Sequence, residues 1–263
     1  MSLERLLREE LKNLPPLPGS IPKIQAICYN SEASIGDLVA VVERDPLLTA
    51  NILRLANSSF YGFSGQIGSI HHAISMFGKS TIFGFAISGS VRNSFVIDLE
   101  PYGVSEEQFS AAASMRSSLL FHWYRRHNRP LLEQMGPAAF LADIGKILTA
   151  KVIRREKREG EFLRRIEGDE PLEGVEREFC GQSSDEISAL LLEQWGLPPP
   201  LCQLLRGSLG DDRPEVLSLR VVRIVIPLNN TMSAEGEAQA LSLLQQAGVA
   251  TAPFTDALQV VTE

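Results

Sequence analysis

Asp45-Pro46-Leu47-Leu48-Thr49-Ala50-Asn51-Ile52-Leu53-Arg54-Leu55-Ala56, residues 45–56, is a helix that carries its own start signal. Asp45 offers a side-chain oxygen to the free N–H groups of a first turn. Pro46 stands at the first helical position, where a missing N–H is no loss. Leu48, Ile52, Leu55 and Ala56 then recur at the spacing of one helix face. Upstream, Ser34-x-x-Asp37 has the capping-box pattern, and Ile35, Leu38, Val39 and Val42 follow at i, i+3, i+4 and i+7. This predicts a helix ending near Arg44. Downstream, the segment from Asn57 holds Gly62, Gly65 and Gly68 and reads as a turn or loop. Ser69 opens a helix with Ile70, Ala73, Ile74 and Phe77 on one face and Gly78 at its end. Ser80 is then expected to cap a helix from Thr81 to about Phe95, apolar nearly all round and so enclosed by others.

Asp98-Leu99-Glu100-Pro101-Tyr102-Gly103 breaks this composition and marks a lobe boundary. It divides the chain into an N-terminal helical lobe over 1–100, a second helical lobe over 101–213 and a helical tail over 214–263. Ser105-x-x-Gln108 opens a helix expected to reach His127, with Glu106 and Glu107 in its first turn and Arg125, Arg126 and His127 in its last, as the helix dipole favours. Pro137 is expected to begin another, through Phe140, Leu141, Ile144, Ile147 and Leu148. Ser183-x-x-Glu186 begins a further one, with Ile187, Leu190 and Leu191 inward and Gly196 at its end. The one strand-like run, Val221 to Ile226, has no partner strand elsewhere and is read as helix. The fold class is therefore all-α.

Composition narrows the function. The chain has 263 residues, 44% hydrophobic and 22% charged, as a folded domain has. Its 25 Lys and Arg against 32 Asp and Glu leave a net charge of −7, which opposes nucleic acid as a partner. The densest basic stretch, Lys151 to Glu178, mixes eight basic with nine acidic residues and reads as solvated helix faces. Cys28, Cys180 and Cys202 form no C-x-x-C pair, so they make neither a disulfide framework nor a cysteine zinc site, and they suit a reducing cytoplasm. No apolar run approaches the roughly 18 residues of a membrane span. The start, Met1-Ser2-Leu3-Glu4-Arg5, has no apolar signal region. A cytoplasmic protein without a membrane partner is expected.

Several motifs come close to catalytic chemistry without reaching it. Gly78-Lys79-Ser80-Thr81 looks like the end of a phosphate-binding loop, but Ala73 stands where the first glycine belongs, and a helix precedes it where a strand is needed. Leu14-Pro15-Pro16-Leu17-Pro18 contains P-x-x-P and reads as a stiff connector whose leucines pack inward. His71 and His72 are adjacent and diverge by about 100° on a helix, and His122 and His127, five apart, diverge as well. They do not form a metal pair. No G-x-S-x-G occurs; Gly62-Phe63-Ser64-Gly65 only grazes it. No catalytic, metal or cofactor-binding residue is assigned, and no cofactor is expected.

Taken together, Leu14 to Pro18, Asp45 to Ala50, Arg54-Leu55-Ala56-Asn57-Ser58-Ser59-Phe60-Tyr61-Gly62 and Ser69-Ile70-x-x-Ala73-Ile74-x-x-Phe77-Gly78 closely resemble the HDOD family. A weaker likeness extends to about residue 210 through Phe140-Leu141-Ala142-Asp143-Ile144-Gly145-Lys146 and Leu190 to Pro198. The resemblance implies a bacterial signal-transduction module related to HD-type metal phosphohydrolases, with an N-terminal helical bundle packed on an HD-like bundle. It also implies where metal-binding histidines would stand. Ser117-Ser118 occupies the first position, Ala142 the histidine of the His-Asp pair, and Ser184 a further one. A later histidine pair is replaced by Leu204-Leu205-Arg206-Gly207-Ser208. Only Asp143 remains, expected to bond locally near Lys146. One carboxylate without imidazole partners cannot activate a metal-bound water. The expected function is thus non-catalytic regulation through a signalling protein partner. All residues are taken up by the lobes and tail, so no fused receiver, GGDEF or EAL domain is expected. Phe60, Tyr61 and Phe63, in the 57–65 loop, are the candidate interaction residues. Two alternatives remain: a nucleotide second-messenger sensor, for which Lys146 and Arg116 are the basic groups on offer, and a residual metal-dependent phosphohydrolase built on Asp143.

Overall fold

A computed structural model describes residues 3–168, 170–207, 211 and 213–262. Among these the regular structure is helical. The only β pairing is an isolated bridge between Leu99 and Val104. Before the 98–103 connector the chain forms α1 (Leu3–Lys12), α2 (Ser20–Cys28), α3 (Ile35–Val42), α4 (Pro46–Ala56) and α5 (Ile70–Ser94). After it come α6 (Glu106–Tyr124), α7 (Arg129–Leu141), α8 (Gly145–Arg155), α9 (Glu159–Ile166), α10 (Leu172–Cys180), α11 (Ser184–Gln194) and α12 (Pro199–Arg206). The tail adds α13 (Pro214–Val225), α14 (Ala234–Gln246) and α15 (Ala252–Thr262). No helix among the described residues is long and apolar enough to cross a membrane.

The start signals work as their chemistry requires. Ser34 with Asp37, Ser105 with Gln108 and Ser183 with Glu186 form reciprocal capping boxes at α3, α6 and α11. Asp45 accepts the Leu48 N–H at 3.0 Å and opens α4. The α4 stripe is buried throughout, whereas in α3 Leu38 and Val42 are buried and Ile35 faces solvent.

Three expectations shift. Ser80 does not cap a helix: the chain kinks at Gly78, whose φ of 81° a side chain would resist, and helix resumes at once. The Ser80 hydroxyl instead donates to the Glu133 carbonyl. That carbonyl is free because Pro137, four residues on, has no N–H to give it. Pro137 accordingly lies inside α7 and does not start it; Asn128 caps that helix, with Pro130 just inside. The α6 helix stops at Tyr124, short of His127. Lys79, the mock P-loop lysine, donates to the Asn30 and Ala33 carbonyls at 3.2 and 3.0 Å.

One hydrophobic core runs through all of this, from Leu6 to Val261. α5 lies at its centre, with Ile82, Phe83, Phe85, Ala86 and Ile87 fully buried between α4 and α7. α6 packs on α7 on one side and on α15 on the other, where Trp123 meets Phe254 edge-on at 4.9 Å. The Trp195 indole donates to the Pro15 carbonyl at 3.1 Å, fixing the proline-rich connector to the end of α11. In the mixed-charge stretch the basic residues meet acidic ones: Arg155 with Glu10, Arg158 with Glu161, Arg165 with Glu178, and Arg177 with Glu173.

Candidate functional site

Asp143 occupies the turn between α7 and α8 and is 4% exposed. Its surroundings come from five helices. Gly145 begins α8 hard against α11: a Cβ there would lie 2.0 Å from the Ser184 carbonyl oxygen, so only glycine permits the approach. The Gly145 N–H donates to Ser188 Oγ at 2.8 Å and locks the turn. From α6, Arg116 donates through Nη1 to Asp143 Oδ2 and through Nε to the Ile226 carbonyl at 2.7 Å. From α13, Arg223 donates to Asp143 Oδ1 at 3.0 Å and grips Asp185 with two bonds of 2.8 and 2.9 Å. Lys146 stands 3.6 Å from Asp143 Oδ1 and donates to Glu176 Oε1 at 3.0 Å and Ser184 Oγ at 2.6 Å. Glu176 also accepts from the Tyr102 hydroxyl at 2.8 Å and the Ser184 N–H at 2.7 Å.

Three cations thus face three carboxylates, and the cluster is neutral as a whole. Burial alone would raise the Asp143 pKa, but the charges of Arg116, Arg223 and Lys146 outweigh it and hold the carboxyl well below its usual range. Burial and the Glu176 carboxylate push the Tyr102 hydroxyl well upward, so it stays protonated and donates. A groove of about 460 Å³ opens beside the cluster, between α8, α12 and α13.

The places where an HD-type metal would find imidazoles are otherwise employed. Ser117 points away from Asp143 and accepts the Tyr61 hydroxyl at 2.9 Å. Its neighbour Arg116 is the α6 residue that faces the aspartate. Ala142 has no donor, and the Ser184 hydroxyl is held by Lys146. Both oxygens of Asp143 are engaged by guanidinium groups. Among the described residues, no three of His, Cys, Asp or Glu converge to hold a metal ion. The residues present do not fit the metal that the HD fold implies. Ser208, at the end of the replaced histidine pair, lies outside the described residues.

His122 belongs to a different neighbourhood. Its Nε2 lies 3.2 Å from the Tyr61 carbonyl, which can only accept, so Nε2 carries the proton. Burial first, and then the Arg125 charge, bring its pKa down to about 4. His71, His72 and His127 are exposed. The loop aromatics face mainly inward. Tyr61 is buried among Phe77, Phe85 and Phe121, with ring centroids 4.7 to 6.0 Å away. Phe60 and Phe63 are half-buried against the core, and the Phe60 carbonyl accepts the Ser118 hydroxyl at 2.5 Å.

The expectation that Asp143 bonds locally is too narrow. Arg223, Glu176 and Asp185 complete its environment, and the first comes from the tail, so the tail lies against the aspartate that the resemblance aligns with an HD-type metal ligand. Two of them leave a trace in the sequence: Arg223 is a lone charge inside Val221-Val222-Arg223-Ile224-Val225, and Glu176 sits on the same α10 stripe as Val175, Phe179 and Cys180.

The model of the HDOD domain family matches residues 14–208. A putative phosphohydrolase from Shewanella amazonensis has a similar fold, with a TM-score of 0.68 at 19% identity over 99% of this chain and 95% of that one. An HDOD domain protein of unknown function from Geobacter sulfurreducens gives 0.61 at 14% identity, over 98% and 95%. An uncharacterised protein of Treponema pallidum is 26% identical over 72 residues, which are 27% of this chain and only 14% of that protein.

Proposed function

The chain belongs to the HDOD family, and from that membership we propose that it is a non-catalytic signal-transduction module acting through a protein partner. One observation carries the reading. Where an HD hydrolase keeps a cation open to water and substrate, this chain inserts the guanidinium of Arg116 against Asp143 and adds Arg223 from the tail. A side-chain cation neutralises the carboxylate as a metal would, but it has no exchangeable position for a water and cannot generate hydroxide. The same substitution supports a structural task for the cluster: it pins α6, α8, α10, α11 and α13 to one another beneath the surface. A pinned scaffold is what a docking module requires, since loops held on rigid elements bind with less entropy lost. The exposed tip Ser64-Gly65-Gln66, flanked by Phe63 and anchored by Tyr61, is the docking element in this proposal. The nucleotide-sensor alternative needs uncommitted cations in the groove, whereas Arg116, Lys146 and Arg223 are each committed to carboxylates.

The test combines chemistry and binding. Protein purified without chelator should hold less than stoichiometric transition metal and turn over no cyclic dinucleotide with added manganese or iron. Stoichiometric metal and turnover, both lost in Asp143→Asn, would restore the hydrolase. A signalling protein captured from the source cell and then purified should bind the chain directly. That binding should weaken with Ser64→Glu. Direct binding indifferent to Ser64→Glu would remove the loop from the interface.

A further inference from the structure

A second cavity, of about 180 Å³, lies between α4, α5, α6 and α7. None of the residues that neutralise Asp143 lines it. We propose that this pocket binds a small monocarboxylic acid with an apolar body, its carboxylate held at the mouth by Arg54.

The walls set the body of the ligand. Phe109, Phe140, Leu141 and Ile144 make the inner surface, with Leu55 and Val91 beside them. Pockets for small molecules are mostly apolar with a few placed polar groups, and this one has that composition. Its volume is somewhat above the roughly 150 Å³ of an engineered cavity that takes benzene, so it admits one ring or a short branched chain.

The mouth sets the charge. Arg54 and Arg92 are the charged residues of the lining. Arg92 is paired with Glu106 at 3.1 Å. Arg54 makes no hydrogen bond or ion pair with any described residue, and it stands beside a second arginine. Two cations and one carboxylate leave a single positive charge, which a monoanion matches and a phosphate dianion exceeds. Burial, and after it the Arg92 charge, pull the Arg54 pKa down, the direction expected of a cation that lacks a counter-ion. Among the lining residues the hydroxyls of Ser58, Ser88 and Ser110 have no partner among the described residues and are free to bond a carboxylate oxygen.

This inference is independent of the docking proposal: it concerns a ligand, and it stands or falls without reference to a partner. The probe is benzoate, titrated into the full chain by calorimetry, with benzamide and inorganic phosphate as controls. Saturable binding of benzoate is expected, with benzamide and phosphate each weaker by about tenfold or more, the loss of a charged hydrogen bond. Arg54→Gln, at an exposed side chain that the fold does not use, should weaken benzoate by a similar factor while leaving the melting temperature unchanged. Ala113→Leu, which fills the pocket, should abolish binding. Absence of saturable benzoate binding overturns the proposal. So does benzamide or phosphate binding as well as benzoate, or Arg54→Gln binding as well as the parent chain.

Discussion

Arg116 and Ser117 are neighbours on α6, yet they face two different interiors, about 100° apart around the helix. Arg116 enters a cluster held by charge, in which every carboxylate has a cation. Ser117 borders a cluster held by apolar contact, where Tyr61, Phe63, Phe77, Phe85 and Phe121 meet with mostly edge-to-face rings. Both are buried, and both tie α6 to distant segments. The aromatic cluster tolerates independent contributions, because dispersion and water exclusion add up locally. The ionic cluster does not: each member is acceptable in the interior only while its partners remain.

The largest effects should come from the centre of each cluster, and pH should separate them. Asp143→Ala leaves Arg116 and Arg223 without their shared carboxylate and should destabilise by about 3–5 kcal/mol, the range for breaking a buried ion pair. Phe85→Ala opens a cavity and should cost about 3–5 kcal/mol. The Asp143 carboxyl titrates near its usual 3.8 in the unfolded chain and well below that in the folded one, where burial is outweighed by its three cations. Its contribution is therefore whole above about pH 5 and declines as the pH falls through 3.8 toward the folded value. Urea denaturation across pH should show the Asp143→Ala difference flat from pH 5 to 8 and shrinking below about pH 4. The Phe85→Ala difference should not change. Equal pH profiles for the two variants would mean that the charges around Asp143 do not stabilise the fold.

Arg223→Ala should come next, at about 1.5–3 kcal/mol, the range for hydrogen bonds to charged groups. It breaks the bonds from α13 to Asp143 and Asp185 but leaves Arg116 in place. Hydrogen exchange should then rise chiefly in α13 and not in α5. A global rise would show the tail to be integral to the core, with the cluster no special fastening.

The two clusters also differ in how far they could be read from the sequence. The helices around Tyr61 were legible because apolar periodicity and caps are local: Ser34, Asp45, Ser69 and Ser105 each announce a helix within four residues. Pro137 reads as a helix start, yet it sits inside α7 because the Glu133 carbonyl that it leaves without an N–H is satisfied by Ser80 from another helix. The ionic cluster was half legible. Asp143 stands out through its resemblance to a lost motif, but its guanidinium partners Arg116 and Arg223 lie 27 and 80 residues away. No local rule connects charges over such separations. From the sequence Arg116 reads only as a basic group on offer, and the helix phase that turns it, instead of Ser117, toward the aspartate is fixed by packing on α7 and α15.

The smallest effect tests the seam between the clusters. The Tyr61 hydroxyl donates to Ser117 Oγ at 2.9 Å, a neutral bond at the edge of the aromatic group. Tyr61→Phe keeps every ring contact and should cost about 0.5–1.5 kcal/mol, the net worth of one such bond. Ser117→Ala alone strands a buried phenol and should cost about 1–3 kcal/mol. The double variant removes both polar groups and leaves neither stranded, so it should cost less than the sum and less than Ser117→Ala itself. Burial pushes the Tyr61 pKa upward, so the phenol remains protonated and the cycle should read the same from pH 5 to 8, unlike the contrast at Asp143 in acid. Additive costs would mean that the two residues act separately and that α6 is held to the 57–65 loop by ring packing and by the Ser118 and His122 bonds to its carbonyls, without a contribution from Ser117.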